Sequence, residues 1–296
     1  MGLPDKVSIV EVGPRDGFQN VKQFIPTEDK ILIIKNLIDT GLTHLEVTSF
    51  VHPKWVPQMA DAVDVVKGIQ SYAKDREVEL IALVPNKYGA LKAYELGLDT
   101  ITYVISVSEA HNFKNVNRTV AESLRELEDI VKSIGKMKVR LAIATTFGCP
   151  FGEEIAVERI INMAQRGLSL DCSKILLADT VGLANPLQVK SIIHEVSSYI
   201  PGEKLGVHFH DTRAMALANT FAALDGGIMY FESSIGGLGG CPFAPGAAGN
   251  VATEDLVNMI HSMDIKTGID MNKLLNVVKM VKRKVDAPLL SHMAMI

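Results

Sequence analysis

Short apolar runs rich in β-branched residues alternate with longer helix-like segments along the whole chain. Successive runs begin about 22 to 38 residues apart, which is the length of one strand–helix unit. Eight runs are predicted to be strands: 7–13, 44–50, 78–85, 100–108, 138–146, 174–180, 204–211 and 230–237. No feature of the sequence constrains the fold more than this repeated alternation.

Helix start signals lie between the runs. Thr119 with Glu122 has the spacing of a capping box, and Asn185 before Pro186 supplies an N-cap followed by proline at the first helical position. Eight strand–helix units without a break in composition predict an α/β fold, a single (β/α)8 TIM barrel over about 7–263. An open, doubly wound sheet is the alternative.

The remaining residues, about 264–296, are predicted to form a short C-terminal helical extension of the same domain, so that 1–296 is one domain. An amphipathic, basic helix is expected at 271–284, packed on the outside of the barrel.

Charge and composition exclude several classes of function. A net charge of −4 and the lack of a Lys/Arg run give no sign of the basic patch that nucleic-acid binding requires. No apolar run approaches the roughly 18 residues of a membrane helix, and the first residues lead straight into a strand-like run. Three cysteines without a CxxC pair fit a reducing compartment. We therefore expect a cytoplasmic protein with neither nucleic-acid nor membrane partners.

Polar residues recur where the predicted strands end. They are Arg15 and Asp16 after the first run, Glu46 within the second, Asp179 ending the sixth, His208 and His210 ending the seventh, and Cys241 and Asn250 beyond the eighth. The carboxyl ends of barrel strands meet at one mouth, where barrel enzymes carry their active sites. The sequence therefore predicts that these residues converge on one site.

His208 and His210 are the sharpest local signal. Residues i and i+2 of a strand share one face, so both imidazoles are expected to point into the barrel. Asp16 follows the first strand, which is close to the seventh in a closed barrel. Two histidines completed by oxygen ligands suit Mg²⁺, Mn²⁺ or another divalent ion, and the lack of cysteine ligands argues against structural zinc.

Glu46 and Asp179 lie in otherwise apolar runs, where an unpaired carboxylate is costly. Either could form an ion pair with Arg15 and so aim that arginine at a substrate. The segment 236–250 contains six glycines. It is either a flexible loop around a buried cysteine or a lid that delivers Cys241 to the metal site.

At these positions the sequence resembles the 3-hydroxy-3-methylglutaryl-CoA lyases. The segments that carry the resemblance are VGPRDGFQN (12–20), LEVTSFVHPKWVPQM (45–59), DTVGLANP (179–186), VHFHDTRAMALAN (207–219) and GGLGGCPFAPGAAGNVATEDL (236–256). The resemblance implies metal-dependent cleavage of 3-hydroxy-3-methylglutaryl-CoA to acetoacetate and acetyl-CoA, with Mg²⁺ or Mn²⁺. It also implies a homodimer.

The resemblance further assigns site residues by position. The implied metal ligands are Asp16, His208, His210 and Asn250, of which Asn250 rests mainly on the resemblance. The implied catalytic residues are Arg15, Asp16, Glu46, Asp179, His208 and Cys241. Arg15, Gln19, Asn20 and Lys22 are expected to bind the acyl-CoA substrate, with Lys114 or Arg118 as further candidates for its phosphates.

Two rival functions stay open. The first is a condensing synthase of the isopropylmalate, homocitrate or citramalate type, which shares the Arg-Asp and His-x-His patterns. Such synthases usually add a C-terminal regulatory region, for which residues 264–296 are too few. The second is a barrel kept as a non-catalytic scaffold, which has no reason to keep so many polar groups at the strand ends.

Overall fold

The computed structural model describes residues 2–240 and 249–296, and in it the eight predicted strands close into a parallel barrel in chain order. The strands are β1 (Ser8–Glu11), β2 (His44–Ser49), β3 (Glu79–Val84), β4 (Thr100–Ser106), β5 (Lys138–Ala144), β6 (Lys174–Asp179), β7 (Leu205–Phe209) and β8 (Tyr230–Ser233). The predicted TIM barrel is confirmed, and the open-sheet alternative is wrong because β1 pairs with both β2 and β8.

Helices follow every strand. They are α1 (Thr27–Asp39), α2 (Ala62–Lys74), α3 (Lys87–Glu95), α4 (Glu109–Val116), α5 (Val120–Ser133), α6 (Val157–Ser169), α7 (Pro186–Ser197), α8 (Ala216–Asp225), α9 (Thr253–Ser262) and α10 (Met271–Lys284). Two helices, α4 and α5, lie between β4 and β5, where one was expected.

Local sequence signals account for the helix starts. Thr119 and Glu122 form the predicted capping box ahead of α5, and Asn185 accepts a hydrogen bond from the backbone N–H of Gln188 at the start of α7. Both predicted caps are confirmed.

The strands end earlier than their apolar pattern does. Val12 and Val107 are buried, yet β1 stops at Glu11 and β4 at Ser106. Apolar residues occur wherever the chain is buried, whether or not it pairs with a neighbouring strand. The chain stays buried beyond the last hydrogen bond between the strands, in the loops at the mouth of the barrel. The predicted strand ends at 13, 108, 146, 211 and 237 are therefore too late, and the stretch after β1 is a π-type helical turn, Gly13–Gly17.

Apolar packing occupies the space between the strands and the surrounding helices, and a smaller apolar cluster lies inside the barrel. The inner cluster contains Val10, Ile81, Leu176 and Tyr230, one residue from each of four strands. Charged side chains also lie in the barrel interior, so the polar region is not confined to the mouth of the barrel.

The extension begins after α9 and returns to the mouth. Helix α10 packs against α1, and Lys284 contacts Asp29 at 2.5 Å. Beyond α10, Leu290 donates its backbone N–H to Gly236 at 2.9 Å, next to the glycine-rich segment. The predicted helix at 271–284 is confirmed. In the part of the chain that the structure describes, none of the helices is long and apolar enough to cross a membrane.

Candidate active site

Three predicted ligands meet at the mouth of the barrel. Asp16 lies in the turn after β1, His208 in β7, and His210 one residue beyond β7. Each is buried and offers one ligand atom, and these atoms lie within 4.8 Å of one another. A cluster of this size and donor chemistry suits one divalent cation.

Asn250 joins this cluster through the backbone and the side chain. It forms an isolated β-bridge with His210, and its Nδ2 donates to Asp16 Oδ2 at 2.6 Å and to the carbonyl oxygen of Leu238 at 3.0 Å. Its own Oδ1 is buried and, like His210 Nδ1, has no hydrogen-bond partner in the described part of the chain. Buried acceptors of this kind normally have a partner, so these residues fit a bound cation.

Electrostatics favour the metal-binding protonation states of Asp16 and His210, whereas the carboxylates of Glu232 and Asp16 outweigh burial and raise the pKa of His208. Burial raises the pKa of Asp16, but the charges of Arg15, His208 and His210 outweigh it and hold that pKa below its usual range. Burial, with a smaller contribution from His208, lowers the pKa of His210 to about 4. An anionic carboxylate and a neutral imidazole are the forms that bind metals.

Arg15 lies beside the cluster and is held from two sides. Its Nη1 donates to Asp16 Oδ1 at 2.6 Å, and its Nε donates to Glu46 Oε1. Glu46 on β2 is fully buried and also accepts a hydrogen bond from Thr102 at 2.5 Å. Two carboxylates therefore fix the guanidinium at the mouth, and Glu46 is the one of the two candidate carboxylates that pairs with it.

Asp179 makes different contacts. Its carboxylate accepts backbone N–H groups of Leu183 at 2.8 Å and Ala184 at 3.1 Å, which shapes the turn after β6. Among the described residues it forms no ion pair with Arg15. Burial raises the pKa of Asp179 to about 6, although the two N–H groups and His208 act in the opposite direction.

The predicted substrate-binding residues divide into two groups. Gln19 donates to Asp16 Oδ1 at 2.5 Å, and Asn20 donates to the carbonyl oxygen of Gly240 at 2.8 Å, so both are engaged with the site itself. Lys22 is exposed on the loop that follows.

Lys114 is exposed as well, whereas Arg118 is half-buried in an ion pair with Glu126 and is less free to meet a phosphate. Cys241 lies outside the described residues.

Comparison with known proteins identifies the family of this chain. The profile of one family, described as HMGL-like, matches residues 6–281. The chain belongs to the HMGL-like family.

Similar members of the HMGL-like family are lyases by name. The chain is 45% identical to hydroxymethylglutaryl-CoA lyase YngG of Bacillus subtilis, over 99% of this chain and 97% of that one. It is 42% identical to the mitochondrial hydroxymethylglutaryl-CoA lyase of Mus musculus, over 92% and 84% of the two chains.

A solved structure of an HMG-CoA lyase from Acinetobacter baumannii, in complex with coenzyme A and 3-methylmalate, has a TM-score of 0.94. Its sequence is 39% identical, with 100% of this chain and 96% of that chain covered.

Two further residues touch the site of this HMGL-like chain without having been predicted. Glu232 on β8 contacts His208 Nδ1 at 2.9 Å, and Arg140 on β5 contacts Glu232 Oε1 at 2.5 Å. Both are charged residues inside apolar strand runs, which is the same signal that singled out Glu46. The pattern of polar residues at strand ends does not include them, because both lie within their strands.

Proposed function

We propose that this chain cleaves 3-hydroxy-3-methylglutaryl-CoA to acetyl-CoA and acetoacetate, using a divalent cation held by Asp16, His208, His210 and Asn250. The observation that carries the proposal is the buried ligand cluster with Arg15 fixed beside it. Near full-length similarity to named lyases supports the same activity. Mg²⁺ and Mn²⁺ are the proposed ions, because the donors are two imidazoles and two oxygens.

The chemistry requires the tertiary alcohol to lose its proton before the adjacent C–C bond breaks. A cation bound at this cluster would lower the pKa of that hydroxyl. Asp16 and His208 are the two candidate bases at the cluster, and Asp16 is the proposed one, because a carboxylate keeps lone pairs when it binds a cation. His208 would hold the cation through Nε2 while its Nδ1–H donates to Glu232, which leaves it no free lone pair. The alkoxide electrons then form the ketone of acetoacetate as the bond to the thioester's α-carbon breaks.

Arg15 is the proposed stabiliser of the enolate that bond cleavage leaves on the thioester. Its guanidinium is held by Asp16 and Glu46, so it does not need to reorganise when negative charge develops. Asp179 shapes the turn after β6 and is proposed to keep the neighbouring wall of the mouth in place.

Cys241 is the proposed acid that protonates the enolate carbon. Asn20 contacts Gly240, the residue immediately before the cysteine, and Asn250 contacts Leu238. These two hydrogen bonds tie the segment that precedes Cys241 to the turn that carries Asp16 and to a proposed metal ligand. We propose that this segment closes over the substrate and excludes water from the carbanion.

An acyl-CoA substrate also needs a place for its phosphates. The Acinetobacter baumannii relative is described in complex with coenzyme A, which supports the same substrate class for this chain. Lys22, on the loop after β1, and Lys114, in the last turn of α4, are exposed cations, and they are proposed to contact the phosphates. A single domain over 1–296, a homodimer and a cytoplasmic location complete the proposal.

The direct test is to incubate the protein with 3-hydroxy-3-methylglutaryl-CoA and Mg²⁺ or Mn²⁺ and to assay acetoacetate and acetyl-CoA. The two products should appear in equal amounts. A synthase would instead consume acetyl-CoA when supplied with a keto acid, and a scaffold would give neither reaction. Failure to form acetoacetate with either ion would refute the lyase proposal.

A further inference from the structure

Glu232 connects a predicted metal ligand to the interior of the barrel. It is a buried residue of β8, and its Oε2 lies 2.9 Å from Nδ1 of His208 on the neighbouring strand β7. A carboxylate only accepts hydrogen bonds, so His208 donates from a protonated Nδ1. In the neutral ring the other nitrogen, Nε2, is then left with its lone pair available for a ligand.

Arg140 holds the far side of that carboxylate. It is 1% exposed, and its Nη2 lies 2.5 Å from Glu232 Oε1 and 3.2 Å from Glu46 Oε2. Its Nε donates to the hydroxyl of Thr102 and its Nη1 to the hydroxyl of Tyr230, both at 3.1 Å. Within the described residues, each hydrogen bond of the guanidinium is thus with an acceptor on a barrel strand.

The two carboxylates around Arg140 each touch a different active-site residue. Glu46 contacts Arg15, and Glu232 contacts His208. Within the described residues, Arg140 itself forms no hydrogen bond or ion pair with the cluster of Asp16, His208 and His210. It therefore affects the site through the carboxylates, whose positions it sets.

We propose that Glu232 is a positioning residue that fixes the ring orientation and the Nδ1–H tautomer of His208, with Arg140 holding its carboxylate in place. This inference rests on the proposed metal site. Carboxylates that orient metal-binding histidines in this way typically change metal affinity 10- to 100-fold when they are replaced. A purely structural role, in which Glu232 only compensates the charge of Arg140, predicts no change in the tautomer.

Glu232→Gln tests the proposal because Arg140 requires an acceptor on its side. The amide oxygen should therefore face Arg140 and the amide NH2 should face His208. An NH2 group cannot accept from Nδ1–H, so the proton of His208 should move to Nε2, the nitrogen proposed to bind the metal.

Two readouts without substrate follow from this change. In metal-free protein, at a pH high enough for the ring to be neutral, ¹⁵N NMR of the histidine rings should report Nδ1–H for His208 in the wild type and Nε2–H in Glu232→Gln. Calorimetric titration with Mn²⁺ should give a dissociation constant about 10- to 100-fold higher in the variant. Glu79→Gln is the matched control, because Glu79 begins β3 and pairs with Thr100, Lys138 and His44. Among the described residues it forms no hydrogen bond or ion pair with Arg140 or with the ligand cluster. This variant should bind Mn²⁺ within about 2-fold of the wild type.

A second pair of variants applies if Glu232→Gln does not fold. Glu232→Asp and Glu232→Asn shorten the side chain equally, but only the first keeps two acceptors. Glu232→Asp should bind Mn²⁺ at least about 10-fold more tightly than Glu232→Asn.

Equal affinities in this pair, or an unchanged tautomer in Glu232→Gln, would overturn the inference. A wild type that does not bind Mn²⁺ would instead overturn the metal site of the proposed function, so the two failures are distinguishable.

Discussion

Arg15→Met removes the cation that is proposed to stabilise the enolate while leaving the side-chain volume similar. In the wild type the Arg15 guanidinium donates to Asp16 Oδ1 at 2.6 Å and to Glu46. Loss of one preorganised donor at a developing oxyanion costs about 3 to 4 kcal/mol, or roughly 100- to 1000-fold in kcat. We therefore expect kcat for acetoacetate formation to fall by about that factor.

The same variant should keep its fold and its metal. Glu46 retains Thr102 at 2.5 Å and Arg140 at 3.2 Å, and Asp16 retains hydrogen bonds from Gln19 and Asn250. Neither carboxylate is left without a partner, so destabilisation should stay below the roughly 3 to 5 kcal/mol of a fully broken buried pair. Without Arg15, the Asp16 carboxylate loses one competing hydrogen-bond donor, so its affinity for Mn²⁺ should be unchanged or higher.

Steady-state kinetics, circular dichroism and Mn²⁺ titration together check this prediction. Arg159→Met is the control, because Arg159 also bridges a carboxylate, Glu153 at 2.7 Å, and a backbone carbonyl, but lies outside the ligand cluster. It should change kcat by less than about 5-fold. A folded Arg15→Met enzyme within 10-fold of wild-type kcat, or one that has lost its metal, would refute the reasoning.

The remaining predictions concern four other residues. His210→Ala should weaken Mn²⁺ binding at least about 10-fold by calorimetry, and an unchanged affinity would remove it from the ligand set. Cys241→Ser should lower kcat by about 100-fold or more with KM nearly unchanged, because a hydroxyl is a much weaker acid than a thiol; trapping an acyl group on Cys241 would contradict the acid role. Asp179→Asn keeps one side-chain oxygen that can still accept a backbone N–H of the turn, so kcat in the acetoacetate assay should fall by less than about 10-fold. A total loss of activity would indicate that Asp179 takes part directly in the reaction. Burial raises the pKa of Glu11 to about 7 from 4.5, so the folded protein holds a proton that the unfolded chain releases, and stability falls as pH rises between these values. Between pH 5 and 8 the free energy of unfolding, measured by urea denaturation, should fall by about 2 kcal/mol less in Glu11→Gln than in the wild type. An unchanged pH dependence would exclude Glu11 as the source of the fall.

The barrel could be predicted because its strands are buried on both faces and therefore have near-continuous apolar runs. The ends of the strands could not be predicted as well. Val12 and Val107 are buried although the ladder has ended, so the apolar pattern overstates the length of β1 and β4. The extra helix α4 starts with a serine cap at Ser108, inside the run predicted to be a strand.

The site was predictable where chemistry and periodicity coincide. His208 and His210 stand out because a strand places residues i and i+2 on one face, and the structure brings both to Asp16. Asn250 reaches them through an isolated β-bridge with His210, 40 positions earlier in the chain, which no local pattern indicates. Glu232 and Arg140 have partners on distant strands, so their contacts depend on the closed barrel rather than on sequence spacing.

The measurement that tests the central claim most directly is acetoacetate formation by protein that has been stripped of metal with a chelator. The stripped protein should be inactive on 3-hydroxy-3-methylglutaryl-CoA. Activity should return with Mg²⁺ or Mn²⁺ in proportion to the ion bound, up to one per chain, and His210→Ala should not recover at the same ion concentration. Full activity without a divalent ion, or no acetoacetate at saturating Mg²⁺ and Mn²⁺, would contradict metal-assisted cleavage at this site.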